Sequence, residues 1–136
     1  MALILHTKIG RWLQPGGHVD PDDASVIAAA VREVHEEIGC APAHEPRLCD
    51  VDVHVVPARG TVPTHLHHDI RFAFRAASAR LVIGHGAGDA RWWPLADVLG
   101  MEQSLARPAR KLLAFLGCGE AGPVDRESGF PGGSTR

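Results

Sequence analysis

The segment VREVHEEIGC, Val31–Cys40, carries three carboxylates within five positions: Glu33, Glu36 and Glu37. On a helix, at about 100° per residue, they fall within an arc of about 100°. An apolar stripe of Val26, Ile27, Ala30, Val31, Val34 and Ile38 lies beside them and spans about 140°. Glu37 stands at the edge of that stripe. Like charges at i,i+4 destabilise a helix by about 0.2–0.5 kcal/mol. Partial burial adds to this cost, and the negative end of the helix dipole lies close by. A chain that breaks several local rules at one place commonly does so at a functional site. A hard dication would resolve the conflict. Mg²⁺ takes oxygen ligands, is held by one or two carboxylates, and fills its other positions with water and substrate phosphates. The plain alternative is a solvated acidic face, partly relieved by Arg32. The preceding loop, PGGHVDPDD, weighs against that alternative. Gly16 and Gly17 have no side chains to keep a ligand from the backbone.

The elements that must position these groups can be read from periodicity. Ala2–His6 reads as a strand, followed by the loop RWLQPGGHVDPDD. A helix is predicted over Asp23–Ile38, capped by Asp23 or Ser25 and stopped by Gly39. Arg47–Pro57 alternates Val51, Val53 and Val55 with Asp50, Asp52 and His54, the pattern of a half-buried strand. His65–Ala76 alternates again. Leu66, Ile70, Phe72 and Phe74 share one face, and His65, His67, Asp69 and Arg71 share the other. A short strand is expected at Leu81–Ile83, a turn over Gly84–Asp89, and another short strand near Arg91–Trp93. Leu95–Leu99 reads as a helical turn. Ser104–Leu116 reads as a helix with a stripe of Leu105, Leu112, Leu113 and Leu116, which Pro108 kinks or delays. The expected organisation is one domain over residues 1–117 and a disordered tail over 118–136. The fold class is α/β or α+β with a mixed sheet.

The totals narrow the function classes. The chain has 136 residues, a net charge of −2 and a hydrophobic share of 45%. That balance offers nothing for a nucleic-acid backbone or an anionic membrane, so neither DNA nor a membrane is an expected partner. The three cysteines are Cys40, Cys49 and Cys118, and no pair has CxxC spacing. Reduced thiols in a cytoplasmic protein follow, with Cys40 and Cys49 as buried apolar residues. The apolar runs are too short to span a bilayer, and the start MALILHTKIG lacks the features of a signal peptide.

The stretch GGHVDPDDASVIAAAVREVHEEIGC resembles the signature box of the Nudix hydrolases. That pattern runs Gly, five residues, Glu, seven residues, then Arg-Glu-U-x-Glu-Glu-x-Gly-U, with U a bulky apolar residue. Gly17, Arg32, Glu33, Val34, Glu36, Glu37, Gly39 and Cys40 match. RWLQPGG and RWWPL also look like the usual surroundings of the box. The early Glu is replaced by Asp23, and one extra residue separates it from Arg32. This leaves open whether Asp23 or Asp22 contacts the arginine. The resemblance implies a Nudix-like α/β/α sandwich around a mixed sheet, here without the usual first strand or with its start lying upstream. A missing strand would expose a sheet edge and favour a homodimer.

The resemblance also implies an activity: Mg²⁺-dependent hydrolysis of a nucleoside diphosphate linked to a further group, with Mn²⁺ as substitute metal. Its metal ligands map to Glu36, Glu37 and the backbone carbonyl of Gly16. Glu33 maps to a ligand or general base, and Arg32 to a residue that orients the acids. His67, His85 or Glu102 are alternative bases. The alternative function is a non-catalytic Nudix module that binds a nucleotide and regulates a partner; the intact glutamates speak against it.

Three further features carry chemistry. His65, His67 and Asp69 on one strand face have a spacing that suits a transition metal, against the plainer reading of a polar face lining a pocket. In the family setting, Gly16, Gly17, His67, Asp69 and Arg71 are the expected substrate contacts; Arg71 could offer a fork to phosphate, against the plainer reading of a surface or Asp69-paired arginine. Trp12, Trp92 and Trp93 could stack on a base, but two of the three are expected in the core.

Overall fold

The computed structural model describes residues 1–119. The strand at the N-terminus, β1 (Ala2–His6), is central to a three-stranded sheet. It pairs with β2 (Trp12–Leu13) on one side and β5 (Ala87–Trp92) on the other. Because β1 alternates, it feeds two cores. Ile4 packs with Val34, Ile38, Cys40 and Ala87 under helix α1 (Val26–Ile38). Leu3 packs on the opposite side with Val98, Leu105 and Ala109, from α2 (Leu95–Leu99) and α3 (Gln103–Gly119). Helices therefore cover both faces, as in an α/β/α sandwich. Each fully buried Leu or Ile here contributes about 1.5–3 kcal/mol. The ladders among the described residues are all antiparallel. No helix among them is long and apolar enough to cross a membrane.

Helix α1 begins later than the Asp23 start that periodicity suggests. Ser25 is the N-cap, and its hydroxyl accepts from the Ala28 amide at 3.1 Å. Asp23 is drawn away to bind Arg32. Gly39 closes the helix in the left-handed conformation, φ 65°, as a C-terminal glycine allows. In α3 the buried positions are Leu105, Ala106, Pro108 and Ala109, whereas Leu113 and Leu116 are exposed. The helix runs through Pro108 from Gln103. The tail expected from 118 onward lies outside the described residues except for the last turn of α3.

The strands β3 (Arg47–Val56) and β4 (His65–Ala73) form a separate two-stranded ribbon. The alternation is as expected, but the exposed side is the apolar one. Val51, Val53, Val55, Leu66 and Ile70 are all more than 40% exposed, while Asp50 is 5% exposed. The cause is ionic. Arg71 reaches Asp50 at 3.0 Å from β4, and Arg107 of α3 reaches it at 3.2 Å, so the acidic side of β3 is held inward. β4 stops at Ala73, short of the Ala76 expected. The following residues turn to a different partner: the Ala43 amide donates to Arg75 and the Ala77 amide to Ala41.

No strand forms at Leu81–Ile83. The backbone there caps the C-terminal end of α1 instead. The amides of Val82, Gly84 and His85 donate to the carbonyls of Ile38, Glu37 and Glu36, at 2.9, 2.9 and 3.2 Å. These are carbonyls that a helix end leaves without intrahelical partners. The turn expected over Gly84–Asp89 is shorter, because β5 already begins at Ala87.

Candidate active site

The glutamate face of α1 is organised by one guanidinium. Arg32 Nε and Nη2 grip Asp23 as a fork, each at 3.0 Å. Nη2 also donates to the His18 carbonyl at 3.1 Å. Nη1 donates to Glu33 at 2.9 Å and to Glu36 at 3.4 Å. The planar five-donor head of Arg suits this multiple role, and Lys would not reproduce it. Of the two acidic candidates, Asp23 is the partner. Its side chain is 7% exposed, and it also accepts from the Asp20 amide at 2.8 Å. The hydrogen bonds from Arg32 hold the Asp23 carboxyl below its ordinary range and push the Arg32 guanidinium above its own.

Glu37 stands apart from that network. It is buried at 8% exposure, and its Oε2 accepts from the Gly16 amide at 2.9 Å. Burial raises its pKa, the Gly16 hydrogen bond works against that rise, and the charges of Glu33 and Glu36 add to it. The glycine loop fits tightly here. A Cβ on Gly17 would fall 2.5 Å from the Glu33 carboxyl carbon. A Cβ on Gly84 would overlap the carbonyl oxygen of Glu36. Gly86 lies on the other side, where a Cβ would be 3.7 Å from Glu37 Oε1. Spacing alone does not single out Gly84 and Gly86. Their only signal in the sequence is the GHG stretch, which reads as an ordinary turn.

The structure therefore brings Gly16, Gly17, Arg32, Glu33, Glu36 and Glu37 together. His67, Asp69 and Arg71 lie on the inward side of the ribbon, within a second polar network. Arg71 donates to Asp69 at 2.8 Å, Asp50 at 3.0 Å and Gln14 at 3.2 Å, so its fork is committed to protein acceptors. Gln14 is two residues before Gly16, which ties this network to the glycine loop. Between the loop, α1 and β4 lies a cavity of about 260 Å³, lined in part by Gln14, Gly17, Val34, Phe72 and Phe74. Of the alternative bases, Glu102 is ion-paired with Arg11, and His85 offers its backbone amide to Glu36. Trp12 and Trp93 pack edge to face at 5.3 Å within the second core, as expected for two of the three tryptophans. Trp92 is exposed and its indole donates to Ala79.

The Asp23–Arg32 pair carries a pH signature. The folded Asp23 carboxyl has a lowered pKa, so its contribution is present above the unfolded value near 3.8 and is lost as pH falls through the folded value. Asp23→Asn is therefore expected to be less stable than the native chain at neutral pH. The gap should close as the pH falls below that of an ordinary carboxylate. Urea midpoints measured from neutral to acid pH test this; a gap that stays constant with pH would contradict it.

Comparison with known proteins bears on the family and the fold. Over 93 residues the chain is 34% identical to a Nudix hydrolase named NudL of Enterobacter sp. (strain 638), a match covering 63% of this chain and 48% of NudL. The chain thus spans about half the length of that relative. A C. elegans Ap4A hydrolase binary complex superposes with a TM-score of 0.61 at 20% identity, covering 86% of this chain and 85% of that one. The NUDIX domain of Shewanella oneidensis NrtR, complexed with ADP ribose, gives a TM-score of 0.61 at 22% identity, covering 82% and 76%. These likenesses show a shared fold. The model of the NUDIX domain matches residues 3–116, nearly the whole described structure, and the chain belongs to the NUDIX family.

Proposed function

We propose that this protein is a pyrophosphohydrolase that uses Mg²⁺, or Mn²⁺ in its place, to cleave the diphosphate linkage of a nucleoside diphosphate joined to a further group. One observation carries this reading. Glu37 is a buried carboxylate without a cationic partner among the described residues, beside two further glutamates and a side-chain-free glycine loop. The donor set fits a hard dication: carboxylate oxygens from Glu33, Glu36 and Glu37, with the carbonyl of Gly16, whose amide already bonds Glu37, as a further oxygen. When bound, the metal would neutralise the diphosphate and lower the pKa of water.

The chain's own residues do the rest. Gly16 and Gly17 let the diphosphate approach the backbone, because no Cβ stands in the way. Arg32 orients Glu33 and Glu36. Glu33 takes the proton from the attacking water as its oxygen bonds to phosphorus and the anhydride P–O bond breaks, with the electron pair leaving on the departing phosphate. Such a base contributes roughly 10²–10⁴-fold. Arg71, held by Asp50 and Asp69, positions Gln14 and so the wall of the glycine loop. The likeness to proteins described with Ap4A and ADP ribose supports a nucleotide-type substrate.

The test is a panel of nucleoside diphosphate derivatives, assayed with and without Mg²⁺. Metal-dependent release of two phosphorylated products is expected for at least one member. Release that ignores the metal would overturn the reading. Tight nucleotide binding without turnover would favour a regulatory module instead.

A further inference from the structure

We propose that His54, His67 and Asp69 form a second metal site, for a borderline transition-metal dication such as Zn²⁺, on the polar face of the β3–β4 ribbon. The strand register builds it. His54 and His67 are direct cross-strand partners, and Asp69 lies two residues beyond His67, on the same face. One ligand atom from each lies within 4.8 Å of the others. A tetrahedral site with bonds of about 2.1 Å sets its ligand atoms about 3.4 Å apart. Small side-chain rotations on this partly exposed face close the difference.

The spacing of His65, His67 and Asp69 suggests a one-strand site, but the structure changes its membership. Nδ1 of His65 lies 2.8 Å from the Pro63 carbonyl oxygen, and its ring is outside the group of three whose ligand atoms converge. His54 on the neighbouring strand takes its place. His67 is the hub of the cluster: the rings of His18, His54 and His65 lie 5.8, 5.5 and 5.0 Å from it. His65, through its Nε2, and His18 are the candidates for a fourth ligand, and water is the alternative.

The surroundings suit a cation. Asp50, Asp52 and Asp69 face Arg71 and Arg107, three negative charges against two positive. Arg71 donates to Oδ2 of Asp69 at 2.8 Å, and His54 Nδ1 lies 3.6 Å from that same oxygen, so the guanidinium holds the carboxylate beside the imidazole. Ligands held in this way by outer partners are already oriented for binding. Two imidazoles favour Zn²⁺, Cu²⁺ or Ni²⁺ over Mg²⁺, whereas the all-oxygen glutamate cluster has the opposite preference. The two sites thus sort different ions. Recruitment of His18 would also pin the loop that carries Gly16 and Gly17, since the His18 carbonyl is already an acceptor of Arg32. That regulatory consequence rests on the proposed hydrolase; the metal binding does not.

The experiment uses the full chain, stripped of metal and then held in excess Mg²⁺ to occupy the glutamate cluster. Co²⁺ is added and its visible ligand-field spectrum recorded, and Zn²⁺ affinity is measured by competition. A tetrahedral Co²⁺ spectrum with one Zn²⁺ bound per chain is expected. His54→Ala and His67→Ala should each weaken Zn²⁺ binding by about tenfold or more, and Asp69→Asn likewise. Glu37→Gln should leave Zn²⁺ affinity unchanged. His67→Gln serves as a second, milder variant if the alanine form does not fold, as judged by its metal-free melting curve. Zn²⁺ affinity within about twofold of the native chain in the folded His54 and His67 variants would overturn the proposal. Loss that follows Glu37→Gln instead would also overturn it, by placing the ion among the glutamates. Failure of the nucleotide panel would leave these readouts unaffected.

Discussion

Glu37→Gln is expected to lower Mg²⁺-dependent turnover by about 10²–10³-fold, the range seen when one electrostatic contact to a developing charge is removed. The substitution is isosteric. The carboxamide oxygen of the variant side chain can still accept from the Gly16 amide, as Glu37 Oε2 does at 2.9 Å, so the loop keeps its anchor. What disappears is a negative charge in a buried position. Burial, and the neighbouring Glu33 and Glu36, already oppose that charge and raise the carboxyl's pKa. The sign for stability follows. A raised folded pKa means that the native form of Glu37 is most stable below the unfolded value near 4.5, and that stability is lost as pH rises through the folded value. The variant has no such loss. Metal-free Glu37→Gln should therefore melt at or above the native temperature at neutral pH, and the advantage should shrink in acid. Mg²⁺ should raise the melting temperature of the native protein more than that of the variant, since a ligand stabilises only what it binds. A slower yet more stable variant separates a functional charge from a structural one. If turnover is unchanged, or if the loss of activity comes with a lower melting temperature, the role assigned to Glu37 fails.

Several features of this arrangement are legible in the residues alone, and the reasons differ from place to place. The helix carrying Glu33, Glu36 and Glu37 declares itself because burial on one side imposes a period that no loop would keep. The edge position of Glu37 follows from the same wheel, and it is indeed buried. The ribbon is the contrary case. Alternation marks Arg47–Val56 and His65–Ala73 as strands, but it cannot say which side faces in. Hydrophobicity argues for Val51, Val53 and Val55, yet Asp50 is inside because Arg71 and Arg107 meet it there. Those partners are 21 and 57 residues away. No window of local sequence contains such a pairing. Asp23 is intermediate. Its side chain could cap α1 or bind Arg32, and the choice depends on a loop geometry with Ser25 available as the cap.

Leu81–Ile83 shows the same limit most sharply, and it leads to the second large effect. These residues have strand composition, but the backbone from Val82 to His85 is used to cap α1. Gly84 sits where the two segments touch. Gly84→Ala would drive a Cβ into the Glu36 carbonyl oxygen, a backbone atom that cannot rotate away. The helix end or the 82–85 segment must shift. Overpacking of this kind costs about 1–3 kcal/mol. The displaced turn carries Glu36 and Glu37, and a misplacement of about 1 Å can lower turnover about 10²-fold. Gly60→Ala is the matched control. Gly60, unlike Gly84, has a left-handed conformation, φ 60°, and nothing lies within 4 Å of a Cβ there. Its cost is backbone strain alone, about 1–2 kcal/mol, with no glutamate in contact with the added Cβ. Both variants should melt below the native chain, but only Gly84→Ala should lose turnover and the Mg²⁺-induced rise in melting temperature. Equal turnover in the two variants would mean that the docking of residues 82–85 does not set the position of the acidic face.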